Sequence, residues 1–222
     1  MARRADLSAT RRCDCCRLPP RWCVCEAHRV LKGPLAIDVL IHQRELWRPS
    51  STGQLIARTL AGARQHLWLY DKPVAREEVA RAERELWVLH PHGAPLPEVI
   101  PPLDRVQVVL LDGAWREATF MAREVANWGR MVSLPMEGQS RYWLRAQQTG
   151  ARFSTVEALI FLLRALGLVE LAEALRVQFE LQVYAGLRSR GAKELAAAFL
   201  RESPLSNAVP DMLAKLETPR PR

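Results

Sequence analysis

The residues best suited to chemistry in this chain are a carboxylate, a glycine and a tryptophan set into one short turn. Val106-Gln107-Val108-Val109-Leu110-Leu111 is an apolar, β-branched run that reads as a buried strand, and it stops at Asp112-Gly113-Ala114-Trp115 before a helix-forming run. A turn at the carboxyl end of a strand faces the crevice where open α/β sheets bind ligands. A carboxylate there can orient or accept a proton, and an indole can wall a pocket or stack on a base. Taken alone, such a turn is structural more often than catalytic, with Asp112 capping the next helix and Trp115 packing under it.

The second chemical group is sulfur. All five cysteines lie between Cys13 and Cys25, with Cys13/Cys16 spaced C-x-x-C and Cys23/Cys25 spaced C-x-C. Four thiolates at that spacing suit one tetrahedral zinc with ~2.3 Å bonds, and Cys15 is left over. Four protein ligands leave no open position, so such a zinc is structural; iron in its place, or inert thiols, are the alternatives. Arg12, Arg17 and Arg21 surround the knuckle, and their exposure would make it an RNA contact. His90-Pro91-His92-Gly93-Ala94-Pro95 has no carboxylate or cysteine beside it and reads as a tight, ligand-facing turn, not as a metal site.

These residues need a scaffold, and the totals permit one. A chain of 222 residues, 49% hydrophobic, can bury one good core plus a small appendage. Lys and Arg outnumber Asp and Glu by 32 to 24, a net charge of +8 that favours RNA, DNA or an anionic membrane as partner. No apolar run approaches the ~20 residues of a membrane span. The start, Met1-Ala2-Arg3-Arg4-Ala5-Asp6, has no apolar segment after its charges, so the expectation is a cytoplasmic protein with reduced cysteines.

The patterning predicts strands at Leu35–Ile41, His66–Tyr70, Glu85–Leu89, Val106–Leu111 and Arg130–Leu134. Helices are expected from Gln54 to Leu60, over the charged Glu77–Arg84, from Trp115 to about Asn127, from the capping box Ser154-Thr155-Val156-Glu157 through Leu163, and over Leu168–Leu187 and Ala192–Leu200. Ser50-Ser51-Thr52-Gly53 caps the first helix, or cradles an anion on its free N–H groups. The segment Pro135–Arg145 interleaves aromatics with arginines, as RNA-binding surfaces do. The division is a basic N-terminus and zinc knuckle over 1–30, an α/β domain over 31–202 and a tail over 203–222.

In combination these motifs resemble the DTW-domain family, the tRNA-uridine aminocarboxypropyltransferases. The resemblance rests on the cysteine group, Pro49-Ser50-Ser51-Thr52-Gly53-Gln54-Leu55, Leu111-Asp112-Gly113-Ala114-Trp115, Ser140-Arg141-Tyr142-Trp143-Leu144-Arg145 and Ser154-Thr155-Val156-Glu157-Ala158. All five stand in the family's order, from Arg12 to Leu163. Ala114 replaces the central threonine of the name motif, and Ser51 an asparagine.

The resemblance implies a SPOUT-like knotted α/β domain with a mostly parallel sheet, plus the N-terminal zinc knuckle of Cys13, Cys16, Cys23 and Cys25. It implies transfer of the 3-amino-3-carboxypropyl group of S-adenosylmethionine to N3 of a variable-loop uridine (tRNA position 47), releasing methylthioadenosine. Asp112 and Trp115 then take the catalytic positions. The donor falls to Leu89, Pro91, His92, Gly93, Leu111, Gly113, Leu134, Ser140, Tyr142, Leu144 and Arg145, with Thr155 and Glu157 lining the pocket or only capping their helix. Arg141 and Arg145 would meet the donor carboxylate or a phosphate. The expected partner is tRNA, with no membrane and no obligate protein partner, and the expected state is a monomer. An RNA methyltransferase on the same fold and a non-catalytic zinc-containing RNA-binding protein are the competing expectations.

Overall fold

The computed structural model describes residues 11–145 and 152–218. The basic stretch read over Met1–Arg12 lies outside them except for its last two residues, as does the end of the chain from 219.

Five strands, β1 (Ala36–His42), β2 (Arg64–Trp68), β3 (Glu85–Ala94), β4 (Val106–Asp112) and β5 (Arg130–Val132), form one parallel sheet in the order β2-β1-β4-β3-β5. The helices are α1 (Thr52–Thr59), α2 (Arg76–Val79), α3 (Trp115–Glu124), α4 (Thr155–Ala165), α5 (Val169–Ser189), α6 (Lys193–Arg201), α7 (Leu205–Ala208) and α8 (Pro210–Glu217). Parallel neighbours cannot be joined by hairpins, so connections cross the sheet faces and cover them. β1 and β4 are accordingly buried along their whole length. Their residues alternate between two cores. Ile37, Val39, Ile41, Val108 and Leu110 join a core with α1, α4 and α5, whereas Leu40, Val109 and Leu111 join one with α2 and α3.

Several elements differ from the sequence reading. β2 begins and ends two residues early, and α2 covers only the start of the expected Glu77–Arg84 helix. β3 runs past Leu89 through the His90–Ala94 segment that reads as a turn. Leu89 and Ala94 both pair with Val132, so the intervening residues form a bulge within the strand. Gly93 permits it, because a Cβ there would lie 2.5 Å from the Val132 carbonyl carbon. Pro204 onward, read as a tail, instead forms α7 and α8, whose Leu205, Met212, Leu213 and Leu216 are buried in the main core.

The knuckle packs into that core as well. Cys16, Leu18 and Val24 are buried, Gln182 of α5 donates to the Cys16 carbonyl (3.1 Å), and Arg58 of α1 to that of Cys15 (3.1 Å). Arg21 caps the last carbonyls of α8, donating to Lys215 (3.1 Å) and Leu216 (2.8 Å), where a cation meets the negative helix end.

One charge is fully buried in the sheet's other half. Asp38 accepts from Arg64 (2.7 Å), His66 (2.8 Å), Arg81 (3.0 Å) and Gln107 (2.8 Å). Burial alone would push its carboxyl up, but the bonds from His66, Arg64 and Arg81 outweigh it and hold the pKa down at about 2. Its stabilisation is therefore complete above pH ~4 and is lost as pH falls through about 2. Asp38→Asn should lower stability at neutral pH by about 2 kcal/mol and flatten the acid limb of the stability profile. Urea melts of both proteins from pH 7 to pH 2 test this; parallel acid limbs would refute it.

Candidate active site

The sheet reverses its direction of travel between β1 and β4, which lie side by side with Ile41 in register with Asp112. From β1 the chain enters α1 on one face; from β4 it enters α3 on the other. The two turns part at the carboxyl rim and leave a crevice, the usual ligand position in open α/β sheets. A cavity of about 560 Å³ opens there.

Asp112 forms its floor. The side chain is almost fully buried, and both oxygens are occupied. Oδ2 accepts from Ser51 Oγ (2.7 Å), and Oδ1 from Thr155 Oγ1 (2.8 Å) and Thr52 Oγ1 (3.4 Å). The Gly53 N–H adds a backbone bond. These donors come from the amino ends of α1 and α4, where free N–H groups and the helix dipoles favour an anion. The anion-cradling reading of Ser50–Gly53 is thus met from within, since the anion is the protein's own Asp112. Gly53 is needed for the approach, because a Cβ there would lie 2.7 Å from Asp112 Cβ and Cγ. Burial pushes the Asp112 carboxyl up, the Ser51 and Thr155 bonds oppose it, and burial prevails.

Leu89, Pro91, Leu111, Leu134, Met136 and Phe153 give the cavity apolar walls, and Trp115, 43% exposed, stands at its mouth with the Arg152 guanidinium 5.1 Å from its ring centre. The polar points are few. Arg145 pairs with buried Glu45 and reaches Ser50 Oγ (3.4 Å). The Tyr142 hydroxyl donates to the Ser50 carbonyl, and burial pushes its pKa up to about 12, so it stays protonated. Burial, followed by the charge of His92, lowers the His90 pKa. His90 Nδ1 accepts the His92 N–H (3.3 Å), which leaves the ring proton on Nε2.

Of the residues assigned from sequence, Asp112, Trp115, Leu89, Pro91, Leu111, Gly113, Leu134, Tyr142, Arg145 and Thr155 line this cavity. His92, Gly93, Ser140, Leu144 and Glu157 do not. Gly93 lies against β5 and Leu144 against Gly186 of α5, while His92 packs edge-on against His90. Glu157 accepts from Ser154 N (2.7 Å), Ser140 Oγ (2.9 Å) and Arg141 N (2.7 Å), clamping the Ser140–Arg145 loop to α4.

Arg141 also turns away from the cavity. It donates to the Phe199 carbonyl (2.6 Å) and pairs with Glu202 (3.1 Å) and Glu180 (3.4 Å), and Trp143 packs edge-on to Phe199. Arg141 and Trp143 therefore tie the segment to α5 and α6, while Tyr142 and Arg145 face the cavity. His90 and Met136, within the Leu89–Gly93 and Leu134–Arg145 stretches read as donor-binding, line the cavity too, whereas the sequence reading missed Ser50, Thr52, Arg152 and Phe153 as lining residues. The SSTG turn was a usable signal for Ser50 and Thr52; Arg152 and Phe153 stand in no motif.

At the knuckle the Cys13, Cys16, Cys23 and Cys25 sulfurs lie within 4.8 Å of one another, with Cys13–Cys25 at 3.6 Å and Cys16–Cys23 at 3.7 Å. A tetrahedron with ~2.3 Å metal–sulfur bonds has edges of about 3.8 Å. The four thiols can hold one metal ion, and the exposed Cys15 is not among them.

The sequence model of the DTW domain matches residues 10–185. The chain belongs to the DTW-domain family. That family is known generally as tRNA-modifying, and the matched range takes in both the knuckle and the cavity. No solved structure matches the chain. In this DTW-domain protein the departure at the name motif has a structural reading. Ala114 is the N-cap of α3, with extended backbone (φ −62°, ψ 157°); its N–H donates to Glu117 Oε2 (2.8 Å) and its carbonyl accepts from Ala118 N–H (2.8 Å), but it has no side-chain oxygen to cap the helix. A threonine there would cap the helix with its hydroxyl. Ala114→Thr should stabilise the protein by about 1 kcal/mol, read as a raised thermal midpoint; an unchanged or lowered midpoint would exclude the capping role.

Proposed function

We propose that this protein transfers the 3-amino-3-carboxypropyl group of S-adenosylmethionine to N3 of a uridine in the tRNA variable loop. The observation that carries this reading is the cavity over Asp112-Gly113-Ala114-Trp115. Its volume, about 560 Å³, suits a nucleoside-sized ligand, and its walls are apolar with a few convergent polar groups. The basic surplus and the family's general role in tRNA modification support the choice of substrate.

The residues divide the work as follows. Leu89, Leu111 and Leu134 offer an apolar slot for the donor's adenosine. Glu45 is shared by Arg48 and Arg145, so Arg145 keeps charge to offer the donor carboxylate, and the Trp115 face is open to the uracil. Uridine N3 attacks the γ-carbon, the sulfur–carbon bond breaks, and its electron pair neutralises the sulfonium, leaving methylthioadenosine. The sulfonium reacts at whichever carbon faces the nucleophile, so the pose of the donor decides the product.

The N3 proton must leave. Asp112 is the one carboxylate lining the cavity among the described residues, and its oxygens already accept from Thr52 and Thr155. Those two hydroxyls also line the cavity. Donating inward to Asp112, they keep lone pairs for the N3–H: one hydroxyl takes the N3 proton as it hands its own to Asp112, which ends the step protonated.

The SPOUT-like knot belongs to the same proposal. After β5, at one sheet edge, the chain returns across the rim and Tyr142 bonds to Ser50 in the loop after β1, a path that supports such threading. The metal at the knuckle is proposed to be zinc, bound structurally by four thiolates, with tRNA as partner and a monomeric chain.

Incubating the protein with tRNA and S-adenosylmethionine should yield methylthioadenosine and an aminocarboxypropyl-uridine on nucleoside mass spectrometry. S-adenosylhomocysteine as the only by-product would overturn the reading in favour of a methyltransferase. Asp112→Asn should lower the modification rate by roughly 10²–10⁴ with tRNA binding retained; a rate equal to wild type would remove Asp112 from the mechanism. Elemental analysis should find one zinc per chain, lost in Cys16→Ser and Cys23→Ser, and chelation should lower the thermal midpoint. A metal-free protein with an unchanged melt would refute the zinc assignment.

A further inference from the structure

The geometry points to a second nucleotide position beside the cavity, holding an unstacked base that neighbours the target uridine. This rests on the tRNA reading above and names the surface that would serve it. A basin of about 590 Å³ lies at the carboxyl ends of β1 and β2, lined by His42, Arg44, Tyr70, Arg116, Glu117 and Phe120. Arg116 and its neighbour Ala114 also line the first cavity, so the two spaces adjoin across the first turn of α3.

Tyr70 carries the inference. It is 70% exposed, yet its ring stacks on Phe120 with centroids 5.2 Å apart and planes 22° from parallel. One face is therefore fixed by the protein and the other is open. A nucleobase gains from such a platform because no ring motion must be frozen when it stacks.

The charges around it suit a phosphodiester. The Arg44 side chain is 72% exposed, and Arg116 is exposed at the boundary between the two spaces. Among the described residues Glu117 is the one carboxylate lining the basin, and it is already engaged by Ala114 N–H (2.8 Å), Arg44 (3.3 Å) and His42 (3.5 Å). Its charge is thus balanced locally, so a phosphate can meet the exposed Arg44 and Arg116 without net repulsion from it.

A second exposed aromatic fits the same path. Trp115 stands on the cavity side of the shared turn and Tyr70 on the basin side, so successive bases splayed from a loop would meet one ring each. RNA loops are recognised in this way, base by base on aromatic faces with arginines along the backbone. The basin has too little aliphatic surface to favour a protein helix, which would need an apolar groove.

Fluorescence anisotropy with a labelled tRNA transcript tests the assignment. Tyr70→Ala should weaken binding roughly tenfold, whereas Tyr70→Phe, which keeps the ring, should bind as wild type. Arg44→Gln should reduce the slope of log affinity against log salt by about 1. Thermal melts and titration of S-adenosylmethionine alone, unchanged in all three variants, establish that the fold and the first cavity are intact. Wild-type affinity in Tyr70→Ala would overturn this position while leaving the tRNA reading in place. Failure of the wild-type protein to bind tRNA at all would overturn both.

Discussion

A carboxylate withdrawn from water must be given hydrogen bonds, and the way Asp112 obtains them organises the active half of the molecule. Its donors are Ser51, Thr52 and Gly53 at the start of α1 and Thr155 at the start of α4. Each helix thereby finds an anion for its amino end, and the carboxylate finds partners it could not obtain from one helix alone. The bond network ties β4 to the turn after β1 and to a helix more than forty residues further on. The cavity floor is consequently a junction of three chain segments. Loss of any one donor would leave a buried charge short of a partner, the costly outcome in a low-dielectric interior.

The same junction extends to the cysteine knuckle. Gln182 of α5 donates to the Cys16 carbonyl (3.1 Å) and to that of Pro49 (3.3 Å), so a single amide spans the knuckle and the turn that caps α1. Arg58 links the Cys15 carbonyl (3.1 Å) to Gln182 (2.8 Å) and closes the bracket. A metal held by four thiolates would rigidify one end of this bracket and, through it, the Ser50–Thr52 wall of the cavity. The knuckle can thus act on the site without contributing an atom to it.

How much of this was legible depended on whether the signal was local. The β4 strand and its Asp112 turn were plain, because a β-branched run ending in Asp-Gly has few other solutions, and the cysteine spacing read correctly as a cluster. Cavity residues within motifs, such as Tyr142, Arg145 and Thr155, were equally accessible. Direction of side chain was not. Ser140, Leu144 and Glu157 stand in the same motifs yet serve to fasten the loop, and nothing in spacing alone separates a residue facing a ligand from one facing α5. The His90–Gly93 bulge was missed because it depends on the approach of β5, a contact remote in sequence. α8 was missed because its apolar residues, Met212, Leu213 and Leu216, sit on a short and otherwise polar stretch.

Arg141 shows why composition misdirects most where it looks most suggestive. Aromatics interleaved with arginines between Pro135 and Arg145 have the makeup of an RNA surface, but Arg141 is only 17% exposed and is held by two carboxylates and a carbonyl. Much of the chain's cationic surplus is engaged in the same way. Arg64 and Arg81 neutralise Asp38, Arg145 and Arg48 neutralise Glu45, and Arg21 caps α8. The net charge of +8 therefore says little about where a polyanion would lie. Exposed aromatics are the more selective guide. Tyr and Trp join an apolar body to a polar tip, which suits them to interfaces, so exposed rings that are held in place are where a ligand is best sought. Tyr70 and Trp115 meet that description, and both sit just past strand ends at one rim, where turns present side chains that neither face of the sheet can absorb.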